Sequence, residues 1–144
     1  MTARDAVGIR EVSEQTGLSV DTLRWYERQG LLPVVGRRAD GRRRYSAYAV
    51  GFVKLVQVLR RTGMPVAEVR EFVRLGDGGL ARHASRLAML ERHAAVIEER
   101  MAQLQADYAA VQDQAAQYRD MIAHGQDCED RLAEQQGAES LRRR

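Results

Sequence analysis

The stretch GIREVSEQTGLSVDTLRWYERQGLL, Gly8 to Leu32, decides the fold. Ile9 and Val12 stand one helical turn apart and Gly17 then interrupts the periodicity, so a short helix is predicted from Ile9 to Gln15. Ser19 offers an oxygen to a free backbone N–H at the start of the next segment, and Asp21 lies in the first turn, where the helix dipole favours an acid. Gly30 ends the run, which predicts a second helix from Val20 to about Gln29. Two short helices around a tight glycine-containing turn, the second bearing Arg24, Trp25, Tyr26 and Arg28, have the form of a helix-turn-helix whose second helix enters a DNA major groove.

Downstream, VVGRRADGRRRYSAY places Asp40-Gly41 between two short arms, a strong hairpin signal. Arg37, Arg38, Arg42, Arg43 and Arg44 fall within eight residues and are opposed by Asp40 alone, the footprint of phosphate contacts. Directly after a helix-turn-helix, such a hairpin reads as a wing along the DNA backbone. A helix is then predicted from about Ala47 to Thr62, with Phe52, Leu55, Val56 and Leu59 on one face. Gly63 ends it, and a further helix follows with Pro65 near its first turn and Val66, Val69, Phe72 and Val73 at helical spacing. These stripes are core. Gly76 to Gly79 reads as a linker.

Beyond it, apolar residues recur with heptad spacing from Leu80 to Ile122. One series is Leu80, Leu87, Ala94, Met101, Tyr108, Ala115 and Ile122; the other is His83, Leu90, Ile97, Leu104, Val111 and Tyr118. No Gly or Pro interrupts, so six heptads make a helix on the order of 60 Å long. So narrow a stripe on so long a helix calls for a partner helix, and the simplest partner is a second copy. The flanking charges allow either orientation: a parallel pair sets Arg86 near Glu91 of the partner, an antiparallel pair Arg100 toward Asp107. The weak layers at Ala94 and Ala115 also leave room for part of the helix to pack on its own DNA-binding half. His83 and His93 are read as surface or seam histidines.

The expected architecture is therefore mostly α: a winged helix-turn-helix domain over 1–75, a linker at 76–79, a coiled-coil dimerisation helix over 80–124 and a short polar tail over 125–144. Charge follows this division, with 14 basic and 8 acidic residues in 1–75 against 9 and 12 in 76–144. The basic half suits a polyanion. A single cysteine in 144 residues excludes an intrachain disulfide framework. No run approaches the ~18–20 apolar residues of a membrane span and no apolar signal segment opens the chain, so a reducing cytoplasm, without membrane contact, is the expected location. There is no phosphate-binding glycine loop, no nucleophile beside a base and no carboxylate pair in an apolar setting, so no enzymatic activity and no cofactor are expected.

Taken together, the first motif, DGRRRY at 40–45 and RRTGMPVAEVREFV at 60–73 resemble the MerR family of bacterial transcription regulators. The recognition helix matches as Thr-Leu-Arg-aromatic-Tyr-Glu with a Gly-Leu-Leu exit, although Trp25 stands where Tyr is frequent and Arg43 where Gly or an aromatic is more usual. The resemblance implies a homodimer joined by an antiparallel coiled coil on an inverted-repeat operator between two promoter elements. It implies control by bending and untwisting an overlong spacer so that RNA polymerase engages both elements when an effector is present. Carried to this chain, it makes Arg24, Tyr26 and Arg28 major-groove or phosphate contacts, Ser19 and Thr22 phosphate donors at the helix N-terminus, and Arg42, Arg43, Arg44 and Tyr45 wing contacts. Trp25 is open between packing and contact.

About 20 residues follow the long helix, too few for a separate drug-binding domain. Cys128, with His124, Asp127, Glu129 and Asp130 nearby, is a poor metal set, and no metal is expected. The resemblance to short, domainless members suggests an electrophile or oxidant at Cys128 as effector; a small apolar ligand between the long helix and the DNA-binding half is the other effector left open. The rival reading is an architectural, excisionase-like DNA protein without effector response, which would not need six heptads.

Overall fold

The computed structural model describes residues 6–33, 36–37, 41, 43–77 and 79–144. Its elements are α1 (Ile9–Thr16), α2 (Val20–Arg28), β1 (Gly36–Arg37), β2 (Arg43–Arg44), α3 (Ala47–Arg61), α4 (Val66–Arg74), α5 (Leu80–His124) and α6 (Cys128–Arg142). The two short strands pair antiparallel, Gly36 opposite Arg44 and Arg37 opposite Arg43. The winged helix-turn-helix and long helix expected from the sequence are present. One compact unit runs to Ile97 and a second begins at Glu98. Among the described residues no helix is long and apolar enough to cross a membrane.

In the first unit each helix start and stop has a local cause. Gly17 closes α1 at φ 75°, a left-handed conformation glycine reaches without steric cost, and its N–H returns to Ser13 O. Ser19 caps α2 by accepting from the Thr22 N–H, and Ser46 caps α3 by accepting from the Ala49 N–H. Pro65 stands at the N-cap of α4, one position ahead of the first turn. The periodic residues meet in one core: Val12, Leu23, Leu31, Tyr45, Val53, Val56, Met64 and Val69 are fully buried. Each such side chain contributes about 1.5–3 kcal/mol by leaving water. Two polar ties hold the helix-turn-helix on this core. Gln57 Nε2 donates to Thr16 O at 2.8 Å from α3, and Arg70 Nε donates to Gln29 O at 2.9 Å from α4.

The start of α5 is bolted to the same core by Arg86. Its guanidinium carbon lies 4.7 Å from the Phe72 ring centroid and 5.4 Å from that of Phe52. Its Nε donates to Phe72 O at 2.9 Å and Nη2 to Val73 O at 3.3 Å, near the C-terminus of α4, where a cation also suits the helix dipole. Gly76 makes the space: a Cβ there would stand 2.5 Å from Arg86 Nη2. Met89 is buried and Leu90 packs against the core. His93, read from sequence as a surface or seam residue, is buried instead, with Nε2 2.7 Å from Thr62 Oγ1. The reason is that residues 86, 89 and 93 recur at helical spacing and form a docking face beside the heptad stripe, with Leu90 of the stripe at its margin.

In the second unit, the stretch read as a polar tail is polar and exposed but helical. Asp127 and Asp130 form a reciprocal capping box that starts α6. Arg131 on α6 pairs with Asp120 on α5 and, by donating to it, holds that carboxyl below the usual carboxylate range, with desolvation opposing and His124 assisting. Met121 is buried at this turn.

Arg86→Ala is expected to lower the unfolding free energy by about 2 kcal/mol, because it removes charged hydrogen bonds and aromatic contact together. Arg86→Lys should recover only part, since an ammonium cannot reproduce the planar fork. Urea titration followed by circular dichroism measures both; an unchanged midpoint for Arg86→Ala would mean that the bolt does not hold.

Candidate nucleic-acid interface

The placement of α2 follows from two of its residues. Leu23 and Tyr26, three apart, are buried, so the opposite face, Asp21, Arg24, Trp25 and Arg28, is turned outward. Arg24 and Asp21 lie 3.9 Å apart in an exposed pair of little energetic weight. Trp25 is 36% exposed with its ring tilted against Tyr26, centroids 5.9 Å apart, so one aromatic side chain both packs and presents an edge. Ser19 Oγ accepts from the Thr22 N–H at 3.0 Å and lies 2.9 Å from Thr22 Oγ1. The two hydroxyls therefore share one proton, and one hydroxyl donor remains for a further acceptor.

Two sequence-predicted contacts are corrected. Tyr26 is 6% exposed and Tyr45 fully buried. Tyr26 falls on the Leu23 face of α2, where burial pushes its phenol up while the nearby Arg60 charge pulls the other way. Tyr45 exchanges two 2.8 Å backbone hydrogen bonds with Val7 and fills the centre of the core, so it anchors the base of the wing to the chain ahead of α1. Both rings support the surface and do not form it. Of the wing arginines, Arg44 is half-buried on β2. Arg37 and Arg43 are paired through their backbones. Arg38 and Arg42 lie outside the described residues.

Gln57 and Arg70, which position the two ends of the helix-turn-helix, were not anticipated. Both interrupt the apolar pattern of their helices, and a polar residue gives no periodic signal of the carbonyl it will reach. Cys128 is exposed at the first turn of α6, its Sγ 3.6 Å from Tyr118 Oη. Among the described residues no three His, Cys, Asp or Glu side chains cluster as a metal site.

On the proposed dimer seam, Leu80, Leu87, Met101, Leu104, Tyr108, Val111, Tyr118 and Ile122 are exposed in the single chain. Ala94 is exposed as well, whereas Leu90, Ile97 and Ala115 are half-buried.

Residues 8–75 match the model of the MerR helix-turn-helix family of regulatory proteins, and residues 52–114 match the MerR DNA-binding model. A helix-turn-helix transcriptional regulator of Haemophilus influenzae is 32% identical over 94 residues, 65% of this chain and 70% of that protein. The chain belongs to the MerR family of DNA-binding transcriptional regulators. Its relatives are regulators of transcription, not enzymes. They include the mercuric resistance operon regulatory protein of Serratia marcescens, 37% identical over 76 residues and matched over about half its length, 53%. The fold is shared with the crystal structure of HiNmlR, a MerR family regulator lacking the sensor domain, at a TM-score of 0.75, 28% identity, 84% of this chain and 96% of that one. A Listeria monocytogenes structure described as a MerR family member has the same fold, TM-score 0.75 at 22% identity, over 96% of this chain and 99% of that one.

The two faces of α2 should separate by mutation. Tyr26→Ala is expected to cost about 3–5 kcal/mol of unfolding free energy as a core truncation, while Arg24→Ala stays within about 0.5 kcal/mol as a surface change. Equal losses in chemical denaturation would contradict the assignment of inward and outward faces.

Proposed function

We propose that this chain acts as a homodimeric regulator that binds an inverted repeat in a promoter spacer. In this reading it distorts the DNA so that RNA polymerase engages both promoter elements in response to an effector. The carrying observation is the outward face of α2, with Arg24, Trp25 and Arg28 presented by a helix whose other face is locked in the core. HiNmlR, similar over 96% of its chain, was solved bound to promoter DNA, which supports the same use here. Arg24 and Arg28 then contact base edges or phosphates and Trp25 the groove wall. Thr22 and the capped N-terminus of α2 receive a phosphate, and Arg37, Arg38, Arg42, Arg43 and Arg44 follow the backbone as the wing. Residues 1–75 read DNA, 76–79 connect, 80–124 dimerise and 125–144 follow the seam.

For the dimer, the exposed stripe of α5 favours an antiparallel pair centred between Met101 and Leu104. Every seam residue from His83 to Ile122 is then covered, and each of the two alanines faces a larger side chain. Leu90 meets the partner's Ala115, Ala94 the partner's Val111, and Ile97 the partner's Tyr108. An in-register parallel pair would instead set Ala94 and Ala115 against themselves, leaving gaps, and Tyr108 and Tyr118 against themselves, crowding the seam.

Two experiments test this reading. In a Cys128→Ser background, Leu90→Cys with Ala115→Cys should cross-link protomers on mild oxidation while Ala94→Cys alone should not; the reverse result identifies a parallel pair. A footprint on the promoter upstream of the gene should show two protected half-sites about one or two DNA turns apart, with enhanced cleavage at the centre and a steep loss of affinity with salt. Absent or uniform protection would overturn the operator reading.

A further inference from the structure

We propose that the groove between α3, α4 and the first turns of α5 binds a small aromatic carboxylate. The inference rests on the regulator reading only for its consequence, that such a ligand is the effector. The groove encloses about 320 Å³, at the small end of ligand sites, which suits a body of one or two rings. Its lining includes Tyr48, Gly51, Phe52 and Leu55 from α3, Phe72 from α4 and Arg86 from α5, all within the first unit.

A row of rings selects the body of the ligand. The Tyr48 and Phe72 ring centroids each lie 6.0 Å from that of Phe52, both pairs tilted. Tyr48, at the outer end of the row, is 59% exposed. A flat ring laid against it takes apolar surface out of water and adds an aromatic contact to the row. Gly51 keeps the groove open, since a Cβ there would meet nothing within 4 Å.

Arg86 selects the head group. The lining holds no acidic side chain, and among the described residues no carboxylate forms an ion pair with this guanidinium. Of its five N–H groups, Nε–H donates to Phe72 O and one on Nη2 to Val73 O, which leaves three without a partner among the described residues. The two carbonyls supply acceptors but no charge. A half-buried cation in an apolar lining gains a counter-ion when an anion enters, and its planar fork matches a carboxylate. One guanidinium balances a monoanion, whereas a dianionic phosphate would leave charge uncompensated beside Phe52 and Phe72. An occupant so held would link α3 to the residue that already ties α5 to α4.

The test uses the full chain without DNA, so that its failure leaves the footprint result untouched. 2-Naphthoate is titrated by fluorescence beside neutral 2-naphthamide and the cation 2-naphthylmethylammonium. The carboxylate should bind saturably and about tenfold more tightly than either analogue, as expected for a hydrogen bond to a half-buried charge. Gly51→Leu should weaken it by about tenfold or more by filling the groove, with a urea midpoint unchanged or raised, because leucine is the better helix former. Arg86→Gln, studied where it is folded, should remove the preference for carboxylate over amide, which a purely structural role of Arg86 would not do. Wild-type affinity in Gly51→Leu would place the probe elsewhere, such as on the wing arginines, and overturn the proposal. So would equal binding of the three probes, a preference kept by Arg86→Gln, or no saturable binding, the result expected if a second copy covers the groove.

Discussion

Leu23 and Tyr26 enter the core from one side of α2, and that burial dictates what the rest of the helix can do. A helix held by two residues three apart has its rotation set, and Arg24, Trp25 and Arg28 are left on the opposite face. The left-handed turn at Gly17 and the Ser19 cap fix where this helix begins, and the bonds from Gln57 and Arg70 hold the ends of the motif on α3 and α4. The outward arginines are thus carried on a rigid element, and less backbone freedom remains to be lost when they meet a polyanion.

The first turns of α5 meet a different constraint, because the helix must present one face to its own core and another to solvent. Arg86 solves the first with a charge. Its flat guanidinium covers Phe52 and Phe72 while its N–H groups satisfy carbonyls at the end of α4, which neither an aliphatic side chain nor an ammonium could do together. Because Arg86, Met89 and His93 occupy positions beside the heptad series, docking leaves Leu80 and Leu87 exposed. One helix therefore carries a docking face, an apolar stripe and a groove wall at once.

Much of this was legible in the residues. Helix starts at Val20 and Ala47, the hairpin between arginine-bearing arms, and the uninterrupted helix from Leu80 all follow from caps, glycines and periodicity, which act over a few residues. Tyr26 and Tyr45 were placed at the DNA surface because an aromatic among arginines resembles a contact; the structure puts both inside, since a tyrosine ring buries as readily as it binds. The tail after Gly125 lacked an apolar stripe, so its helix rests on the Asp127–Asp130 capping box and the Arg131–Asp120 pair instead.

The sequence by itself determined the order of elements, the basic character of residues 1–75 and the long apolar stripe that asks for a partner, because these depend on local periodicity and on charge counted along the chain. Only the tertiary structure decided which side of α2 faces out, that Arg86 and His93 turn inward, and that α3, α4 and α5 leave an apolar groove lined by the Arg86 guanidinium. Those outcomes depend on contacts between residues far apart in sequence, such as Thr62 with His93 and Phe72 with Arg86. No periodic pattern marks such a pair before packing brings its members together.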